Sequence, residues 1–91
     1  MNLLFTETGW SDYLYWVEND TAILARLNAV IEDCRRRLFT GIGKPEPLKG
    51  DLSGWWSRRI TGEHRLVYRI EGKPAVDQRI VISACRYHYA E

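Results

Sequence analysis

His64-Arg65-Leu66-Val67-Tyr68-Arg69-Ile70-Glu71 is the stretch whose reading decides the fold. Successive side chains of a strand point to opposite faces. Arg65, Val67 and Arg69 then share one face, and His64, Leu66, Tyr68 and Ile70 share the other. With the Leu66 face packed on helices, the Arg65 face looks outward, toward a groove. Two further strand candidates flank this one, at 54–60 and 79–87. Thr61-Gly62 makes the first connection tight, and 72–78, with Gly72, Lys73 and Pro74, makes the second a looser turn.

Toward the amino terminus the pattern becomes helical. Trp10, Tyr13, Leu14 and Val17 recur at three and four residues within 7–18, the spacing of one helix face. Trp10 and Trp16 are expected in the core or between helices. Asn19-Asp20-Thr21 interrupts the pattern, and Asp20 or Thr21 is suited to cap a second helix. Its stripe runs through Leu24, Leu27, Val30 or Ile31, Cys34 and Leu38, and Arg35, Arg36 and Arg37 close it where the helix dipole favours positive charge. Residues 2–6 are a short apolar run with strand character. Residues 40–53 read as a loop by their glycines and prolines. The order β-α-α-β-β-β predicts an α+β fold, two N-terminal helices packed on one face of a mainly antiparallel sheet. A chain of 91 residues is expected to form a single domain over 1–91.

Composition narrows the function. A hydrophobic fraction of 45%, with four Trp and five Tyr, supplies a core and argues against disorder. The net charge of +1 hides an asymmetry. Residues 1–34 carry six acids against Arg26, a net of −5, and residues 35–91 carry twelve bases against six acids, a net of +6. Such a split points to a polyanionic partner for the basic part, against the plainer reading of a solvated basic face. Ten of the thirteen bases are Arg, whose planar fork suits phosphate. Cys34 and Cys85 have no CxxC partner and no ligand spacing with His64 or His88, so they read as small buried hydrophobes. No segment approaches the ~20 apolar residues of a membrane span, and no secretion signal opens the chain, which reads as cytoplasmic.

The chemistry-bearing residues suffice to cut RNA by its own 2′-hydroxyl without metal or cofactor. That reaction needs a base for the hydroxyl, cationic donors for the phosphorane and an acid for the departing 5′-oxygen. Glu46 is the best base. Pro45 has a fixed φ and Pro47 restricts Glu46 to extended conformations, while Lys44 and Lys49 flank it. The plainer reading of Glu46 is an exposed loop glutamate, and Glu63 is a rival without comparable framing. Arg59 and Arg65, on consecutive strands joined by a short turn, are expected as cross-strand neighbours on one face. His64 is expected at the core side or its rim as a structural histidine. His88, between Tyr87 and Tyr89 at a strand end, is suited to act as a protonated acid. Tyr89 or Tyr87 is placed to stack on a base or orient the phosphate. Of Trp55 and Trp56, adjacent on a strand, one is expected in the core and the other at the surface.

These residues arrive in a known order. Trp10-Ser11-Asp12-Tyr13-Leu14-Tyr15-Trp16, Gly43-Lys44-Pro45-Glu46-Pro47-Leu48-Lys49, Leu52-Ser53-Gly54, Trp56-Ser57-Arg58-Arg59-Ile60, Glu63-His64-Arg65-Leu66-Val67-Tyr68 and Ala84-Cys85-Arg86-Tyr87-His88-Tyr89 together resemble the YoeB branch of the RelE-like toxins. The resemblance spans nearly the whole chain. It implies a RelE-like fold and a ribosome-dependent endoribonuclease that cleaves messenger RNA in the ribosomal A site, in contact with 16S and 23S rRNA, and so inhibits translation. It implies Glu46 as general base, His88 as general acid and Arg65 as the transition-state cation. Arg59, Lys49 and Tyr89 take phosphate-binding and positioning roles, to which the flanking Lys44 adds its charge. The implied products are a 2′,3′-cyclic phosphate (or its opened 3′-phosphate) and a 5′-hydroxyl. A YefM-like antitoxin and a homodimer are the implied protein partners. Two departures stand out: the connection 72–78 is longer than usual, and Ala90-Glu91 follow Tyr89, where the pattern ordinarily stops. A non-catalytic ParE-like toxin that binds a protein target is the competing class, and a simple RNA-binding module a third. Neither needs the set Glu46, Arg65 and His88.

Overall fold

The computed structural model describes residues 1–88. Strand β1, Asn2–Phe5, leads into helix α1, Glu7–Asn19, where the Thr6 side chain caps by accepting from Gly9 N at 3.1 Å. Asp20 then ends α1 and caps α2, Thr21–Arg36, accepting from Ala22 N and Ile23 N at 3.1 Å each. The chain continues through β2 (Glu46–Pro47), a 3-10 turn at Gly50–Leu52, β3 (Trp56–Arg59), β4 (Arg65–Glu71) and β5 (Arg79–Ala84). The five strands lie in the order β1-β5-β4-β3-β2. β1 runs parallel to β5 and the other pairs are antiparallel, so the α+β class and the mainly antiparallel sheet hold.

The facing of β4 alternates as the sequence reads, although Arg65 and Val67 on the opposite face are buried too. Leu66, Tyr68 and Ile70 meet Ile60, Ile80 and Ile82 and the helix residues Trp16, Leu27, Val30, Ile31 and Cys34. Both candidates at 30 and 31 are buried, as are the two free cysteines. Burial pushes the Cys85 thiol up to about 12, with Asp12 adding to it. Tyr68 is buried too, and burial pushes its phenol up to about 12.

Four expectations are corrected. Part of the loop at 40–53 is the edge strand β2, because backbone pairing to β3 does not depend on side-chain alternation and two residues are too few to display it. β3 begins at Trp56 and β5 stops at Ala84, so both are shorter than 54–60 and 79–87. Leu38 packs on the core from beyond the end of α2. On α1 most of the predicted stripe turns outward, Trp10, Leu14 and Val17 being 48%, 38% and 44% exposed, while Tyr13 packs against the core. Gly9 and Trp16 meet the sheet instead. A Cβ on Gly9 would lie 3.1 Å from Ile82 C and collide with Ile82 O, so the helix backbone rests directly on β5. With two apolar faces, periodicity alone could not tell which was inward.

Candidate active site

The face of the sheet away from the helices gathers the proposed chemistry. Directly paired residues of antiparallel strands share a face, with Cβ atoms about 4.5–5.5 Å apart. Glu46 pairs with Ser57, Ser57 with Val67, and Arg59 with Arg65. Glu46, Ser57, Val67, Arg59 and Arg65 therefore project to one side. Ser57 and Val67 are buried and form its floor, while Glu46 and Arg59 are exposed at its rim.

Local sequence explains how Glu46 gets there. Gly43 has φ +81°, and a Cβ on it would stand 2.9 Å from Arg59 O. Only glycine allows this approach, and Gly43 O accepts from Arg59 N at 2.6 Å. Lys44 follows with φ +50°, and Pro45 and Pro47 then frame Glu46. Pro47 has no N–H to give, which suits the edge position of β2. Leu48 N donates to Trp55 O at 2.9 Å and closes the pairing. Lys44 and Lys49 are both exposed on this segment.

Behind it lies a staple that the sequence did not announce. Arg58, with no exposed surface, points to the helix side. It donates through Nη1 to Asp33 Oδ2 at 2.8 Å and Ile42 O at 3.2 Å, and through Nη2 to Thr40 O at 2.8 Å and to Arg37 O. Its Nε reaches Tyr68 OH at 3.3 Å, and that hydroxyl donates to Leu38 O at 2.8 Å. The segment before Glu46 is thereby bound to β3 and β4. The Arg37 guanidinium first, with Ile42 N–H and Arg58, holds the Asp33 carboxyl down at about 2 against the opposing effect of burial.

Arg65 is buried to 9% exposure, and its Nη1 donates to Thr61 O at 2.8 Å, His64 O at 3.1 Å and Gly62 O at 3.3 Å. Among the described residues, the side-chain hydrogen bonds of Arg65 to protein are all made through Nη1. Arg65 N donates to Tyr87 O at 3.1 Å, which ties the main chain just before His88 to the main chain of Arg65. His88 is exposed. Tyr89 lies outside the described residues.

His64 sits at the rim of the core as expected, edge-on to Trp16 with centroids 4.6 Å apart, and its Nδ1 accepts from Tyr87 N at 2.7 Å. Trp56 packs against the core, while Trp55 lies under Arg69, whose guanidinium is 4.5 Å from its ring centroid. Arg69 and Arg79 are both tied to Glu71, so this far end of the open face is largely neutralised within itself.

Comparison with known proteins identifies the family. The model for the YoeB-like toxins of bacterial type II toxin–antitoxin systems matches residues 5–89. Toxin YoeB of Escherichia coli (strain K12) is 55% identical over 89 residues, covering 98% of this chain and all of that protein. A YoeB/ParE toxin structure from Agrobacterium tumefaciens, 47% identical, superimposes with a TM-score of 0.92 over 98% of this chain and 100% of that one. Two Staphylococcus aureus structures, a YoeB dimer and a heterotetrameric YoeB–YefM complex, are 40% and 39% identical, each with a TM-score of 0.85 over 98% of both chains. With 98% of its length matched in both sequence and fold, the chain belongs to the YoeB-like toxins of bacterial type II toxin–antitoxin systems.

Proposed function

We propose that this toxin is a ribosome-dependent endoribonuclease that cleaves messenger RNA in the A site by metal-free acid–base transesterification. The observation that carries the reading is the shared face of Glu46, Arg59 and Arg65, with the chain bonded to Arg65 immediately before His88. Glu46 takes the proton of the 2′-hydroxyl, whose oxygen bonds to phosphorus. Arg65 stabilises the phosphorane with its guanidinium. The bond from phosphorus to the 5′-oxygen breaks as His88 delivers its proton there, leaving a 2′,3′-cyclic phosphate and a 5′-hydroxyl. Arg59, Lys44, Lys49 and Tyr89 bind and position the phosphates.

A YefM-like antitoxin is its proposed inhibitor, in keeping with the S. aureus complex. A second copy of the chain is its proposed partner, by likeness to the S. aureus dimer, with the exposed face of Trp10, Leu14 and Val17 as the contact. The working place is the cytoplasm, where the ribosome supplies the rRNA contacts and positions the message.

The test is to read 5′ ends on ribosome-bound messenger RNA. Wild type should cut within the A-site codon. Glu46→Gln and His88→Ala should each lose on the order of 10² to 10⁴ in rate. Added antitoxin should abolish the cuts, and naked RNA should be cut weakly. Uncut message with translation still inhibited would sink this reading in favour of a toxin that binds a protein target.

A further inference from the structure

Tyr87, the residue before His88, has φ +62°, a left-handed conformation that a side chain bearing Cβ adopts only when its surroundings impose it. Two adjacent residues impose it. His64 Nδ1 accepts from Tyr87 N at 2.7 Å, and Arg65 N donates to Tyr87 O at 3.1 Å. The accepting ring is itself held. It packs edge-on against buried Trp16, whose Nε1 donates to Cys85 O at 2.8 Å, two residues before Tyr87. The His64 main chain is fixed by the turn, its N donating to Thr61 Oγ1 at 3.1 Å and its O accepting from Ile60 N at 2.9 Å.

A ring nitrogen accepts a hydrogen bond only when it carries no proton. The bond to Tyr87 N–H therefore assigns the proton of a neutral His64 to Nε2. We propose that His64 is a positioning residue for the general acid: its bare Nδ1, together with Arg65 N–H, clasps Tyr87 in the left-handed turn and so sets where His88 meets the departing oxygen. The proposal rests on the nuclease reading. It gives a residue that touches no RNA control over proton delivery, and it sets two imidazoles against each other. His88 must carry the proton it donates, whereas His64 must leave Nδ1 bare.

The titratable and charged groups around this clasp come from every element packed on it. Asp12 and Tyr15 come from α1, Asp12 accepting from Cys85 N at 3.0 Å. Glu63 comes from the turn and Arg65 from β4. From the C-terminal segment, Arg86 lies 3.5 Å from the Tyr15 ring centroid and 4.6 Å from that of Tyr87. Protonating Nδ1 would set a donor against Tyr87 N–H, beside the cations Arg65 and Arg86, and open the clasp.

Two full-length variants separate the acceptor from the ring. His64→Asn can place Oδ1 where Nδ1 stands but gives up the contact with Trp16. His64→Phe keeps a ring on Trp16 but has no acceptor. On programmed ribosomes His64→Asn should keep kcat within about threefold, and His64→Phe should lose kcat on the order of 10- to 100-fold with KM unchanged, as expected of a misplaced catalytic group. A His64→Phe that cuts as fast as wild type overturns the proposal, and so does a folded His64→Asn as slow as His64→Phe. His88→Ala is the control for the nuclease reading: if it cuts like wild type, or wild type cuts nothing, that reading fails separately. Nitrogen-15 NMR then still decides the clasp. It requires a bare Nδ1 in wild type and a Tyr87 amide protected from exchange in wild type and His64→Asn but not in His64→Phe. Equal protection in all three overturns it.

Discussion

Arg58 and Asp33 are the residues on which the local structure depends most. A guanidinium without exposed surface, shared among Asp33, Tyr68 and three main-chain carbonyls, is stable only while all those partners are present. Arg58→Met should cost roughly 3–5 kcal/mol, because the acceptors it leaves behind stay buried. Denaturant unfolding measures this, and Arg58→Lys should recover little, having a single nitrogen for so many acceptors. Asp33 adds a pH dependence. Its carboxyl is lowered from 3.8 to about 2 by Arg37 above all, so the stabilisation is complete above the unfolded value. It fades as pH falls from about 4 toward 2, through the folded value. Melting temperature followed over that window should drop in wild type and stay flatter in Asp33→Asn, which has no charge to lose. Arg59, one residue on, was legible from sequence as a cross-strand neighbour of Arg65, because both lie beside the short turn that joins their strands. The role of Arg58 was not, since its partners lie ten to twenty-five residues away.

Among the elements, β2 and α1 carry the lessons. β2 is two residues long and framed by prolines, yet it fixes Glu46 opposite Ser57. Glu46 was legible as a framed carboxylate, but its strand was not, because pairing at a sheet edge is decided by the neighbour. α1 meets β5 through Gly9, where main chain lies against main chain. Gly9→Ala should therefore lift the helix from the sheet and destabilise by about 1–3 kcal/mol, the range for an overpacked contact, with Trp16 following it outward. A thermal melt, with tryptophan emission reporting Trp16, checks this, and an unchanged melt would show that the helix can slide to make room. The same contact explains why Trp10, expected in the core or between helices, is found outward. A glycine that buries a helix leaves no apolar mark in the pattern.

At the scale of the molecule, charge is sorted by layer. The helices carry Glu7, Asp12, Glu18, Glu32 and Asp33 against Arg26, Arg35 and Arg36, while the strands carry Arg58, Arg59, Arg65, Arg69 and Arg79 against Glu46 and Glu71. The asymmetry counted along the chain becomes an acidic helical layer and a sheet whose open face carries the bases. No helix among the described residues is long and apolar enough to cross a membrane. The outward Trp10, stacked on Tyr13 and edge-on to Phe5, stands where the proposed dimer contact would bury it. Trp10→Glu should shift the protein from dimer to monomer in sedimentation while leaving the nuclease face intact, and an unchanged mass would move the contact elsewhere. The sequence by itself determined the α+β class, the inward row of β4, a helix cap at Asp20 or Thr21, the opposition of Arg59 and Arg65 and the family, because alternation, capping and motif order are local or are carried in linear order. Only the tertiary structure decided which face of α1 is buried, the edge strand that holds Glu46, the Arg58 staple and the His64–Tyr87 clasp. Each of these joins residues distant in sequence through directional bonds or close packing, and such contacts exist only once the layers have met.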